Sequence, residues 1–76
     1  MSKIKLNPLH ITIEMIEGEE FTGQIHIPKL IRFSDHIERL DGWVKCFECS
    51  RKTSIKEAPK KFRLINTKNI MSIYES

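Results

Sequence analysis

The sequence contains no long apolar run, and nothing in it approaches the ~20 residues a helix needs to span a bilayer. A membrane-spanning helix is therefore excluded from these 76 residues. The opening Met-Ser-Lys-Ile-Lys-Leu-Asn-Pro also lacks the apolar stretch of a secretory signal, so a cytoplasmic location is expected. There are two cysteines, Cys46 and Cys49, where a small secreted domain would carry several stapling disulfides. The three glycines, at 18, 23 and 42, build no Gly-rich phosphate loop, and each is accounted for by a turn or bend. Aromatic residues are few: one Trp, one Tyr and four Phe, so the core is expected to come mainly from Ile, Leu, Val, Met and Phe. The length makes one domain, residues 1–76. A chain this short buries only roughly 60–65% of its unfolded surface, which leaves a marginal core that partner subunits would help.

The charge is uneven. Residues 1–38 hold four Lys/Arg against six Asp/Glu, and residues 39–76 hold nine against four. The basic residues cluster in Arg51, Lys52, Lys56, Lys60, Lys61, Arg63 and Lys68. Such a stretch can meet an anionic partner such as RNA or single-stranded DNA. The stronger reading is a solvated, lysine-edged strand pair, since charged edges discourage aggregation. Phe62 is the one aromatic residue interleaved with it, which is thin support for base stacking.

Ile11, Ile13 and Met15 alternate with Thr12 and Glu14, the period-2 pattern of a half-buried strand. Phe21, Ile25 and Ile27 repeat it, with Gly23 on the apolar side. The polar Glu17-Gly18-Glu19-Glu20 between them predicts a hairpin turn, and Gly23 predicts a sharp bend or a close backbone approach. Pro28 ends the second strand. Asp35 followed by Glu38 has the spacing of a capping box, predicting a turn or two of helix with Ile37 and Leu40 facing inward. Asp41-Gly42 turns the chain. Trp43–Cys49 reads as a third strand, with Val44 and Cys46 on one face and Trp43 and Phe47 on the other. Apolar residues on both faces predict burial on both, or a face that awaits a partner. Ser50–Pro59 reads as a polar connection with strand character near Ile55. Phe62, Leu64 and Ile65 belong to a fourth strand, Asn66–Asn69 is a turn, and Ile70–Tyr74 is a last short strand.

Two segments carry a resemblance. The Ile11–Ile25 hairpin, with Gly18 and Gly23 five residues apart, resembles the first motif of Sm-like proteins. Leu64–Ile73 resembles the second, which joins the last two strands of that barrel. The resemblance implies a mainly β fold: a small, five-stranded, strongly bent barrel of Sm-like or SH3-like kind, with one short helix or turn near residues 35–40. Sm-like proteins mostly bind RNA through an Asp and an Asn after the second strand. Lys29 and Phe33 stand there in this chain, and Asn66-Thr67 replaces the usual Arg-Gly of the second motif. The RNA-contacting residues therefore do not carry over. Pro28, Arg32, Ser34 and Asp35 are similar to a small bacterial domain family of unknown function, in which a Pro and then Arg-x-Ser-Asp follow the hairpin.

Cys46-Phe47-Glu48-Cys49 is the one metal-like spacing, yet structural zinc needs four ligands, and His10, His26 and His36 are dispersed. In a regular strand, positions i and i+3 point to opposite faces, which predicts a poor disulfide or metal pair and leaves a metal or redox role for Cys46 and Cys49 as the third and least favoured reading. Cys46 is then a small core residue and Cys49 an edge or loop residue. Arg32, Ser34 and Asp35 read as a helix cap, with Arg32 paired to Asp35 or to Glu38, rather than a ligand pocket. No constellation meets the requirements of an active site, so no enzyme, cofactor or small-molecule substrate is expected. The expected function is a protein-interaction or self-assembly module, a homo-oligomer or a subunit docked on a protein partner, with Trp43 and Phe47 at the interface. The alternative is nucleic-acid binding through Arg51, Lys52, Lys60, Lys61, Arg63 and Lys68.

Overall fold

In the computed structural model, residues 6–52 and 58–76 are described. The expected strand character near Ile55, and the basic residue Lys56, lie outside the described residues. Five antiparallel strands form one sheet: β1 (Leu6–Met15), β2 (Glu20–Pro28), β3 (Trp43–Arg51), β4 (Lys60–Asn66) and β5 (Ile70–Glu75). The helix α1 (Phe33–Glu38) lies between β2 and β3, and a 3-10 turn, Thr67–Asn69, joins β4 to β5. The spatial order is β4-β3-β2-β1-β5, so consecutive strands β4 and β5 occupy opposite ends of the sheet.

That order forces the sheet to curl. Five strands spaced at ~4.8 Å would put β4 and β5 about 19 Å apart if the sheet were flat. A 3-10 turn rises only ~2 Å per residue and cannot cross that width. The turn is also tied to both halves of the sheet: Asn69 O accepts from Ile16 N at 2.8 Å, and Thr67 N donates to Gly42 O at 2.9 Å. The sheet nonetheless stays open, because β4 and β5 do not pair.

The inner face follows the alternation read from the sequence. Ile11 and Ile13 of β1, Phe21, Ile25 and Ile27 of β2, Val44 and Cys46 of β3 and Ile65 of β4 form a buried core, joined by Cys49. Leu and Met contribute less than composition predicts: Leu6, Leu30, Leu64 and Met71 are exposed, while Leu9, Met15 and Leu40 pack at the rim. Thr12, expected on the wet face, is buried, because β1 is flanked there by Thr22 on one side and Tyr74 on the other. Its hydroxyl is satisfied by Ser76 Oγ at 2.8 Å.

Several boundaries move. β1 starts at Leu6 and carries Pro8 within it. At that level β1 has β2 as its only neighbour among the described residues, since β5 pairs no further than Ile11, so proline is tolerated as on an edge strand. β3 runs on to Arg51, past the expected end at Cys49. The helix begins at Phe33, two residues before the expected cap, and no side chain caps it. Asp35 instead accepts from Arg32 Nε at 3.2 Å, one of the two local ion pairs open to Arg32 from spacing. Ile37 and Leu40 do pack against the core, joined by Phe33.

Gly18 and Gly23 serve different ends. Gly18 turns the hairpin at φ +100°, with open space where a Cβ would stand. Gly23 is a close-approach site: a Cβ there would lie 2.5 Å from Cys46 Sγ, 2.7 Å from Phe47 O and 3.2 Å from Cys49 Cα. Gly23→Ala is therefore expected to cost about 1–3 kcal/mol through forced backbone shifts. Gly18→Ala should cost less, ~1 kcal/mol, through backbone strain alone. Thermal melts of the two variants check the order; a smaller loss for Gly23→Ala would refute the close-approach reading.

Candidate functional site

The geometry of β3 controls where the chemistry-bearing side chains sit. Between Thr22 and Gln24 of β2 there is one residue, Gly23; their partners on β3 are Ser50 and Phe47, with Glu48 and Cys49 between. The extra residue is a β-bulge, and Glu48 takes the left-handed conformation at φ +50° to accommodate it. A bulge breaks the period of two. Cys46 and Cys49 therefore do not part to opposite faces as a regular strand predicts; both are buried, at 0% and 2% exposure. The expectation that Cys49 is an edge or loop residue is overturned for the same reason.

The two thiols act on each other. A hydrogen bond from Cys46 favours ionisation of Cys49 and, with the Arg63 charge, brings it down to about 7 against the opposing effect of burial. Cys46 is pushed upward, by that same hydrogen bond and then by burial. Arg63 stands opposite Cys46 in the β3–β4 ladder. Among the described residues no group of three or more His, Cys, Asp or Glu is placed to hold a metal ion.

On the outer face, alternation brings Trp43, Lys45 and Phe47 of β3 beside Asn66, Leu64 and Phe62 of β4, their ladder partners. Trp43 is 57% exposed, Leu64 54% and Phe62 50%. His26 of β2 stacks on Phe47, with ring centroids 4.1 Å apart and planes 9° from parallel. Lys45 Nζ lies 4.5 Å from the Phe62 centroid and 5.2 Å from that of Phe47, within the range of cation–π attraction. Trp43, Lys45, Phe47 and His26 share the wall of a shallow depression of about 320 Å³. The predicted pair Trp43 and Phe47 is thus brought together. Lys45 of β3, His26 of β2 and Phe62 and Leu64 of β4 complete the patch; the pairing of β3 with β2 and with β4 was needed to bring in His26, Phe62 and Leu64.

The six basic residues do not converge. Arg51 pairs with Glu19 at 3.0 Å and Lys52 with Glu20 at 3.2 Å, so the basic half of the chain is neutralised there by the acidic hairpin turn. The Arg51 and Arg63 guanidinium groups lie 5.6 and 4.7 Å from the Phe21 ring centroid. Arg51 Nε is buried without a hydrogen-bond partner among the described residues. Lys60 and Lys61 are exposed at the start of β4, while Lys68 sits in the 3-10 turn beyond its other end, roughly 20 Å of strand away. Among the described residues no helix is long and apolar enough to cross a membrane.

Arg63→Met should raise the Cys49 ionisation midpoint above about 7, because a cation that favours the thiolate is removed. Cys46→Ala should raise it further, since it removes the larger influence. A pH titration followed by thiolate ultraviolet absorbance reads both; unchanged midpoints would refute the assignment.

Comparisons with protein-family models, with curated proteins and with solved structures found no match to this chain.

Proposed function

We propose that this chain is a non-enzymatic self-assembly module in which the β4 edge of one copy pairs with the β5 edge of the next. The observation that carries the reading is the character of β5. Its outer edge has no strand beside it among the described residues. Its sequence, Ile-Met-Ser-Ile-Tyr-Glu, has neither Lys nor Pro, the usual protections of an exposed edge. Met71 and Tyr74 are exposed on it. β4 offers the complementary edge: Lys60 and Lys61 guard its start, and its far half, Leu64-Ile65-Asn66, is uncharged.

Pairing unlike edges is head-to-tail, and it closes into a ring or runs on as a filament. A ring of curled, barrel-like subunits is the form that the Sm-like resemblance implies. The marginal core expected of so short a chain gains from such burial. The exposed Trp43, Phe62 and Leu64 adjoin the β4 edge and extend the contact.

The module is expected to elute as an oligomer whose size light scattering measures at several concentrations. Leu64→Lys and Met71→Lys, each at an exposed position, should shift it to monomer while leaving the circular dichroism spectrum unchanged. A wild-type monomer at all concentrations would end this reading.

A second reading, single-stranded nucleic-acid binding, is favoured by the arrangement of Lys45 over Phe47 and Phe62 beside stacked His26. Aromatic rings with a nearby cation suit unpaired bases, and stacking is worth about 1–3 kcal/mol per base. This patch differs from the basic stretch expected from sequence. Phe47→Ala and Phe62→Ala should then weaken binding roughly tenfold or more each, and affinity should fall with salt. No retardation of mixed RNA or single-stranded DNA at low salt would dismiss it.

A further inference from the structure

Cys46 and Cys49 are the nucleophilic groups that neither reading uses. Their environment is built by three strands. β2 supplies the gap: the point where a Gly23 Cβ would stand is 2.5 Å from Cys46 Sγ and 3.2 Å from Cys49 Cα, so the Cys46 sulfur and the Cys49 backbone both lie against that glycine. β3 supplies the bulge, with Glu48 at φ +50° turning the chain so that both side chains are buried. β4 supplies the charge, with Arg63 opposite Cys46 and Lys60 opposite Cys49 in the ladder. The β1 neighbour of Gly23 is Ile11, which does not titrate, and β2 adds the backbone of Gln24.

We propose that Cys46 and Cys49 are a reversible redox dithiol, oxidised by hydrogen peroxide to an intramolecular disulfide at the β2–β3 bulge. The Cys49 thiolate attacks one peroxide oxygen. The O–O bond breaks, hydroxide leaves, and Cys49 becomes a sulfenic acid. The Cys46 sulfur then attacks the Cys49 sulfur; its proton and the departing hydroxyl leave as water. Two thiols and one peroxide thus give one disulfide and two waters, with two electrons passing from sulfur to oxygen.

The roles follow from the surroundings. Cys49, held near neutral pH by the Cys46 hydrogen bond and Arg63, supplies the thiolate; Cys46, kept protonated, is the resolving partner. Both thiols are buried. The neighbouring Gly23 and Glu48 line an open pocket of about 500 Å³, the side from which a small oxidant would enter.

The test uses the intact folded protein. After brief peroxide treatment, mass measured under non-reducing conditions should fall by two hydrogen atoms per chain, and a dithiol reductant should restore it. The rate should rise with pH through about 7, the region where Cys49 ionises. Cys46→Ser should stop at a Cys49 sulfenic acid that dimedone captures. Cys49→Ser should react about tenfold more slowly or worse, since a thiol of ordinary acidity is mostly protonated there. The unfolded wild-type chain is the control should a variant fail to fold. The proposal is overturned if the native protein keeps two free thiols while the unfolded chain forms the disulfide. It is equally overturned if the native protein gains oxygen without losing hydrogen, or links chains instead of closing within one.

Discussion

The close approach of β3 to Gly23 is the contact on which the other features depend. A side chain at that position would occupy the space of Cys46 Sγ and the Phe47 carbonyl. With only hydrogen there, β3 can place an extra residue opposite β2 and bend over it. The bend buries Cys49 together with Cys46 and keeps Phe47 on the outer face beside His26. One glycine thus sets the register of β3, the meeting of the thiols and the composition of the outer patch.

Charge is arranged around that frame. The acidic hairpin turn and the basic second half of the chain look like separate regions in the sequence. In the fold, Glu19 and Glu20 meet Arg51 and Lys52 across neighbouring strands. Exposed pairs of this kind are worth only roughly 0–1 kcal/mol each, so they do little for stability. Their effect is on the surface, where they cancel part of the basic stretch. Arg63 is left over Phe21 and opposite Cys46, where it bears on the chemistry of the thiols.

Open edges are the other consequence of the topology. Joining β4 to β5 by one 3-10 turn curls the sheet, yet the two strands do not pair. Among the described residues each keeps a free row of backbone donors and acceptors, which is costly to leave unpaired away from water and readily satisfied by another strand. Continuity between the β4 edge and the exposed Trp43, Phe62 and Leu64 makes edge and face one surface.

The sequence by itself determined the strands and most of their inner faces, because alternation at Ile11–Met15 and Phe21–Ile27 reflects one buried side of a pleated chain. It also located the hairpin at Gly18, a bend or close approach at Gly23, an ion pair of Arg32 with Asp35 or Glu38, and the shared face of Trp43 and Phe47. Tertiary structure alone decided the partners of those residues. The helix starts at Phe33 without a side-chain cap, since packing of Phe33, Ile37 and Leu40 on the core outweighs a local hydrogen bond. The thiols meet because a bulge cancels the alternation that would separate them, and a bulge exists only when two strands are in register. The hairpin's second glycine was legible as a place where backbones come near; which residues come near was a matter of pairing between distant strands, and local periodicity carries no record of that.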